Sequence, residues 1–394
     1  GYEQSNQTLS LQCHYKNLRF SLMPKIMLVT NEDTGHYLHR LPLARALQKD
    51  GHEVVLVSPF TKYADQLINE GFRCINWNLS RRSLNPFSEL KAILSLAGIY
   101  RREKPDIVQH FTIKPILYGP IAARLSNHPK YISTFTGVSF PFTDTRLSKQ
   151  FRPFLSLVLG RFLKNKNSHT IFHNPDDQEH LIKLNLTDQK SSSVILGGGV
   201  NTEKFQPGPP AKESKNLVVL MASRLIQEKG IYEYAEAGKI LQAKGKKAEF
   251  WHIGGEDEGS LVPISQQEKS TYEHSINFKG HIDDMPSILS QVDIVVLPSY
   301  HEGLPRFLLE SASAGLPIVT TNVGGCKYVT KDGINGFLGP VKDINLLASS
   351  IETLIDDAAL RKKMGQESRR IAIEEFEETF ITGQYLKVFE NLLA

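Results

Sequence analysis

The chain has 394 residues, 40% apolar and 22% charged, with a formal charge of +4 at pH 7. That length allows two ordinary domains with separate cores, and the composition is that of a folded globular protein rather than a disordered or disulfide-stapled one. The modest positive balance accommodates an anionic ligand or membrane surface but falls short of the basic bias of nucleic-acid binders. Three cysteines, Cys13, Cys74 and Cys326, lie far apart and are odd in number, which points to a reducing compartment. No apolar run is long enough to cross a bilayer. Residues 1–22 lack the apolar core of a secretory signal and are set aside as an extension of engineered or natural origin; a cytoplasmic protein is expected.

From Lys25 onward short apolar runs alternate with helical stretches. Ile26–Thr30 is too short for a helix and suits a strand buried on both faces. Leu38–Lys49 has helical spacing, Gly51 ends it, and Glu53–Ser58 follows as a strand, completing a βαβ unit. Further strands are expected at Ile107–His110, Tyr131–Thr134, Thr170–His173 and Val194–Leu196, with helices at Glu89–Arg102 and Tyr118–Ser126. Gln206-Pro207-Gly208-Pro209-Pro210 interrupts the pattern as a linker. The alternation restarts with a strand at Leu217–Ala222, a helix at Ile231–Lys244, and strands at Glu249–Ile253, Ile276–Lys279 and Ile294–Pro298. A helix at Arg306–Ala314, a strand at Pro317–Thr320 and a last helix near Phe376–Leu392 complete the chain. The expectation is an α/β protein of two Rossmann-like doubly wound domains, residues 23–205 and 206–375, facing a cleft. Residues 376–394 form a helix free to pack on either half. In such sheets ligands sit beyond the carboxyl ends of the strands.

Two segments carry chemistry. In the first, a strand ends at Pro298, a loop holds Glu302-Gly303-Leu304-Pro305, and a helix starts where proline's missing N–H costs nothing. Gly303 permits close backbone approach, and the free amides of the helix start suit a phosphate or a sugar hydroxyl. Single acids such as Glu302 or Glu310 are ordinarily solvated, but strand, EGLP loop, helix and second glutamate in series point to one ligand. In the second, Arg224 follows a strand and Lys229 precedes a helix, which sets a guanidinium fork and an ammonium at the sheet's mouth. That pair suits a diphosphate leaving group, whose charge grows as its bond breaks.

Arg224-x4-Lys229-Gly230 followed by Glu302-x7-Glu310 resembles glycosyltransferase family 4, of GT-B fold, over Lys25 to about Phe389. Thr112-Ile113-Lys114-Pro115, Ala122-Ala123-Arg124-Leu125, Thr136-Gly137-Val138-Ser139-Phe140 and Gly198-Gly199-Val200-Asn201-Thr202 resemble the bacterial capsule and lipid-linked oligosaccharide subgroup. The resemblance implies a retaining transfer of a hexose or N-acetylhexosamine from a nucleotide diphosphate sugar, UDP before GDP, to a glycan or polyprenyl-diphosphate-linked acceptor. It implies that Arg224 and Lys229 hold the diphosphate and that Glu302, with the amides of Gly303, Leu304 and Arg306, meets the sugar. Glu310 would take the ribose, and His281-Ile282 and Gly254-Gly255 would line the base side. Pro305 has no N–H to offer. No agreed protein nucleophile comes with the family; the leaving phosphate is thought to help deprotonate the acceptor.

The chain departs from the family in its first βα loop, Asn31-Glu32-Asp33-Thr34-Gly35-His36-Tyr37, where Gly35 stands alone instead of a Gly-Gly pair. It also has Thr136-Gly137 where relatives carry His-Gly; His110 is expected to be structural. No Asp-x-Asp follows a strand and no histidine pair has ligand spacing, so neither metal nor cofactor is implied, and Glu256-Asp257-Glu258 reads as a solvated loop. Arg146–Lys166 mixes basic and apolar residues, which fits either an anionic membrane surface or a core-facing helix with snorkelling heads. Two other readings share the two-lobed pattern: a nucleotide-sugar epimerase and a non-catalytic ligand-binding protein.

Overall fold

The computed structural model describes residues 23–80, 85–126, 130–137, 159–208, 216–256 and 263–394. The extension 1–22, Val138–Phe140, the basic stretch from Arg146 through residue 158, Pro209-Pro210 and Asp257-Glu258 lie outside the described residues. The first sheet holds β1 (Lys25–Val29), β2 (Glu53–Ser58), β3 (Arg73–Asn76), β4 (Ile107–Phe111), β5 (Tyr131–Phe135), β6 (Ser168–Phe172) and β7 (Ser192–Val194), in the order β3-β2-β1-β4-β5-β6-β7. The second holds β8 (Leu217–Ala222), β9 (Ala248–Ile253), β10 (Asn277–Phe278), β11 (Ile294–Leu297), β12 (Ile318–Thr321) and β13 (Gly336–Gly339), in the order β10-β9-β8-β11-β12-β13. The strand pairs are parallel, as with Met27 opposite both Val55 and Val108. Strand order reverses between β1 and β4 and again between β8 and β11. A crevice opens at the carboxyl ends there, because the crossovers leave toward opposite faces.

Helices cover both faces of each sheet, which is why the central strands are continuously apolar and buried. The helices that matter below are α1 (Leu41–Lys49), α2 (Pro86–Glu103), α3 (Ile113–Leu125), α4 (Pro175–Lys183), α5 (Ile231–Ala243), α6 (Arg306–Ser313), α7 (Gly324–Val329), α8 (Ala358–Phe376) and α9 (Glu378–Leu393). Local chemistry starts several of them: Asn85 and Asn174 each accept a backbone N–H of the first turn, with Pro86 and Pro175 at the first helical position.

Several elements differ from the sequence expectation: the helix expected at Tyr118–Ser126 starts at Ile113, and the strand expected at Val194–Leu196 lies at Ser192–Val194. The first helical segment begins at Asp33, not Leu38: a turn at Asp33–Gly35 leads into a π-helical turn at His36–Arg40 and then α1. Tertiary contacts hold this start, since Asp33 accepts the backbone N–H groups of Thr61, Lys62 and Tyr63 at 2.7–2.8 Å. Burial alone would raise the Asp33 pKa, but these three donors hold it below the usual carboxylate range. The last helical stretch is also broken. α8 ends at Phe376, Glu377 turns extended, and α9 starts at Glu378. The break is where the chain crosses between domains: Val200 N donates to Phe376 O at 2.8 Å and Glu378 N to Val200 O at 3.0 Å. Beyond it Ile381, Tyr385 and Phe389 pack with Ile26, Leu28 and Leu47 in the core of the first sheet. The edge strands β3, β7, β10 and β13 carry half-exposed residues and lack the apolar run of the central strands.

Candidate active site

A cavity of about 690 Å³ lies between the two switch points and takes its walls from both domains. On the C-terminal side β8 delivers Arg224, and a 3-10 turn at Gln227–Lys229 delivers Lys229. Gly230 ends that turn at φ 77°, and a Cβ there would lie 2.2 Å from Pro298 O, so a side chain is excluded by conformation and by space. The same packing straps the next loop down. Tyr300 N donates to Glu228 O at 2.9 Å and Ser299 Oγ to the same oxygen at 3.2 Å. Glu302 is thereby held so that Lys229 Nζ donates to its Oε1 at 2.6 Å, with both side chains largely buried. The two motifs, 73 residues apart, therefore meet in one ion pair.

Of the other candidate residues, Gly35, Leu304, Pro305 and Arg306 line the cavity. No side chain caps the start of α6, which opens onto it. Gly303 is drawn to the domain junction instead: Asn174 Nδ2 donates to its carbonyl at 2.8 Å, and a Cβ would meet Thr136 O at 1.7 Å. Glu310 does not face the cavity. It is buried, and its Oε1 accepts from Arg306 Nε at 2.5 Å, because the i,i+4 spacing sets the two one turn apart. Gly254, His281 and Ile282 also lie off the lining. Gly254 packs on the Ser223 carbonyl and donates to Gly280 O at 2.8 Å, His281 pairs with Asp283 at the surface, and Ile282 leans on the domain core. Of the three, Gly254 supports the loop before Arg224. Glu256, expected in a solvated loop, lines the cavity, since β9 carries it beside Leu225.

Beside Gly35, Thr112, Gly198 and Gly199, which the sequence motifs had named, the N-terminal wall holds residues with no motif to announce them. The π-helical turn carries His39 and Arg40 to the cavity; such turns occur often at functional sites. Arg40 is 8% exposed, lies over the Phe111 ring at 4.3 Å, and makes one long hydrogen bond, to His39 O at 3.4 Å. His173 faces the cavity, and its Nε2 meets the Tyr385 hydroxyl at 3.1 Å. Burial, reinforced by Arg40 and His39, pushes its pKa well below the histidine range. His39 opens into the cleft yet is walled by both domains; burial, then Arg306 and Arg40, push it down to about 3. Both imidazoles are neutral at pH 7. Thr112 lines the cavity at φ 69°, ψ 163°, a region few β-branched residues enter. His110 faces away, buried beside Gly119 with Nε2 2.9 Å from the Tyr100 hydroxyl, and is structural. Lys114 pairs with Glu89 at 2.9 Å and joins α3 to α2.

Contacts across the junction close the cavity. Besides Asn174 on Gly303, Asp176 at the start of α4 accepts from Lys327 at 2.7 Å and from the Tyr328 hydroxyl at 3.0 Å on α7. An offset of hydrogen-bond length in either domain would break all of these, so they define one relative placement of the walls.

Two family models match the chain: "Glycosyl transferase 4-like" over residues 25–174 and "Glycosyl transferases group 1" over residues 202–371. It is 28% identical over 381 residues to the N,N'-diacetylbacillosaminyl-diphospho-undecaprenol alpha-1,3-N-acetylgalactosaminyltransferase of Campylobacter jejuni, covering 94% of this chain and 99% of that one. It is 29% identical over 321 residues to the UDP-Gal:alpha-D-GlcNAc-diphosphoundecaprenol alpha-1,3-galactosyltransferase of Escherichia coli, covering 77% and 79%. Among solved structures, HepE of Anabaena in complex with UDP-glucose superposes with TM-score 0.78 at 18% identity, covering 93% of this chain and 99% of that one. A glycosyltransferase from Rickettsia africae superposes with TM-score 0.76 at 20% identity, covering 94% and 99%. At those identities the structural likeness speaks for the fold, which is GT-B.

Proposed function

Since this chain belongs to the glycosyltransferases, with a 4-like region followed by a group 1 region, we propose that it moves a hexosyl or N-acetylhexosaminyl group from a UDP-sugar to a glycan carried on a polyprenyl diphosphate, with retention of anomeric configuration. The observation that carries the reading is the 2.6 Å Lys229–Glu302 pair on a cavity that also receives Arg224, Gly35 and the uncapped start of α6. The Campylobacter and Escherichia relatives are named for diphospho-undecaprenol acceptors, the second also for UDP-Gal, and this supports the acceptor class and the nucleotide.

In this reading Arg224 and Lys229 hold the donor diphosphate. As the anomeric C–O bond breaks, its electron pair goes to the diphosphate oxygen, and two fixed cations stabilise the growing charge without a metal. The acceptor hydroxyl adds to the anomeric carbon on the face the diphosphate leaves, and its proton passes to the departing phosphate oxygen. Lys229 exchanges Glu302 for phosphate, which frees the carboxylate for hydroxyls of the transferred sugar, beside the amides at the start of α6. Glu310 reaches the ribose once Arg306 releases it. Among the described residues no helix is long and apolar enough to cross a membrane. Phe87, Leu90 and Leu94 stand exposed on one face of α2, which supports approach to a lipid-borne acceptor.

The test is incubation with a panel of UDP- and GDP-sugars and a short prenyl-diphosphate-linked glycan, with NMR of the product. A new α-linkage from an α-donor with release of UDP is expected. An epimerised free donor, or no turnover with any pair, would displace the reading in favour of an epimerase or a binding protein.

A further inference from the structure

Arg40 is a permanent cation with 8% of its surface exposed, and among the described residues no carboxylate pairs with it. Removing a guanidinium from water without a counter-charge is costly, and proteins do so where an anion completes the site. The glycine strip Gly197–Gly199 passes directly over it: a Cβ on Gly198 would lie 3.5 Å from the Arg40 guanidinium and 3.2 Å from His39 O. Gly197 and Gly199 adopt φ 71° and 75°. Among the described residues no acceptor takes the N–H of Gly198 or Gly199, and all three glycines line the cavity. Adjacent free amides in a chain that alternates in handedness form a concave anion cradle. Arg306, across the cleft, adds a further positive field, since its charge acts against both His39 and Arg40.

We propose that Arg40 and the Gly198 and Gly199 amides form a second anion subsite, separate from Arg224 and Lys229, that holds a phosphoryl group of the acceptor. The assignment deepens the transferase reading and rests on it for the identity of that anion. The donor diphosphate has its own cations on the C-terminal wall, so a second cationic centre on the N-terminal wall serves the other substrate. A lipid-diphosphate acceptor brings the matching charge next to the sugar that is extended. Neutral His39 and His173 flank the subsite without adding competing charge.

The experiment is calorimetric titration of geranyl diphosphate, as probe, into the protein saturated with UDP. Wild type is expected to bind one further equivalent. R40M should weaken that binding by about tenfold to a hundredfold, the range for a charge-assisted contact, while its UDP affinity stays within twofold of wild type. R40K should fall between them. The melting temperature of ligand-free R40M should equal or exceed that of wild type, because a buried unpaired charge is gone. A merely structural arginine would lower it. No second equivalent, unchanged binding by R40M, or a parallel loss of UDP affinity would each overturn the subsite. R40M weakening UDP-glucuronate but not UDP-glucose would also overturn it, by assigning Arg40 to a donor carboxylate. If UDP does not bind at all, the transferase reading falls. The subsite then stands or falls on geranyl diphosphate alone binding to wild type and R224M but not to R40M.

Discussion

On the C-terminal wall of the cleft, Lys229 is paired with Glu302 at 2.6 Å and Arg306 with Glu310 at 2.5 Å. On the N-terminal wall Arg40 has an aromatic ring and one long hydrogen bond, two histidines are kept neutral, and Thr112 holds a strained backbone. The first wall keeps its charges in reserve and can trade an internal partner for a ligand at little cost. The second keeps charge and strain uncompensated until something binds. In the proposed reading the cleft accepts two anionic substrates, and that asymmetry lets each wall answer to a different one.

The largest expected effect breaks the C-terminal wall. Replacing Arg224 and Lys229 together by Ala should lower kcat/KM for the donor by roughly a hundredfold to ten-thousandfold, as two charge-assisted contacts are lost. Initial rates at saturating acceptor measure it, and a loss below tenfold would remove the diphosphate from that wall. Next comes the support of the N-terminal wall. Phe389→Ala on α9 should cost about 3–5 kcal/mol, the usual range for a buried phenylalanine. Hydrogen exchange should then show β1 and β4 losing protection before β8 and β11; equal loss in both sheets would mean that the two halves unfold as one.

Acid sharpens the contrast. His36 is buried against the Val57 carbonyl, and burial pushes its pKa from 6.5 to about 4. The folded state then binds this proton less readily than the unfolded state. Its contribution is full above pH 6.5 and is lost as pH falls toward 4, by about 3 kcal/mol at the lower end. Denaturant midpoints from pH 7 to 4.5 should show a shallower decline for His36→Gln than for wild type; parallel curves would assign the acid sensitivity elsewhere. Among the described residues the N-terminal domain has three buried or half-buried histidines whose pKa burial lowers, His36, His169 and His173, against His252 in the other domain, so its strands should open first. The smallest effect concerns Thr112. Thr112→Gly should relieve about 1–3 kcal/mol of backbone strain and give back about 0.5–1 kcal/mol in chain entropy. The net is a rise of a few degrees in Tm by calorimetry, and a fall would mean that the side chain contributes more than the strain costs.

Much of the fold could be read from the residues because its signals are local. Strands covered on both faces appear as unbroken apolar runs, as at β2 and β8, whereas β3 and β13 carry no such run and escaped notice. Asn174-Pro175 carried a helix-start signal that could have marked α4, and with it the residues that reach the other domain. The EGLP loop and the Arg224 to Lys229 turn were legible for the same reason, each being a strand end, a glycine and a helix start within a few residues.

The sequence by itself therefore determined two parallel α/β domains and which loops reach the C-terminal wall, because alternation, turn residues and helix starts act over one or two turns of chain. Only the tertiary structure decided that Glu310 turns to Arg306, that Gly303 is taken by Asn174, that α9 completes the first domain, and that Arg40 is buried under a glycine strip. Each of these depends on which distant atoms surround a group, and burial and unpaired charge are sums over neighbours in space that no short stretch of residues contains.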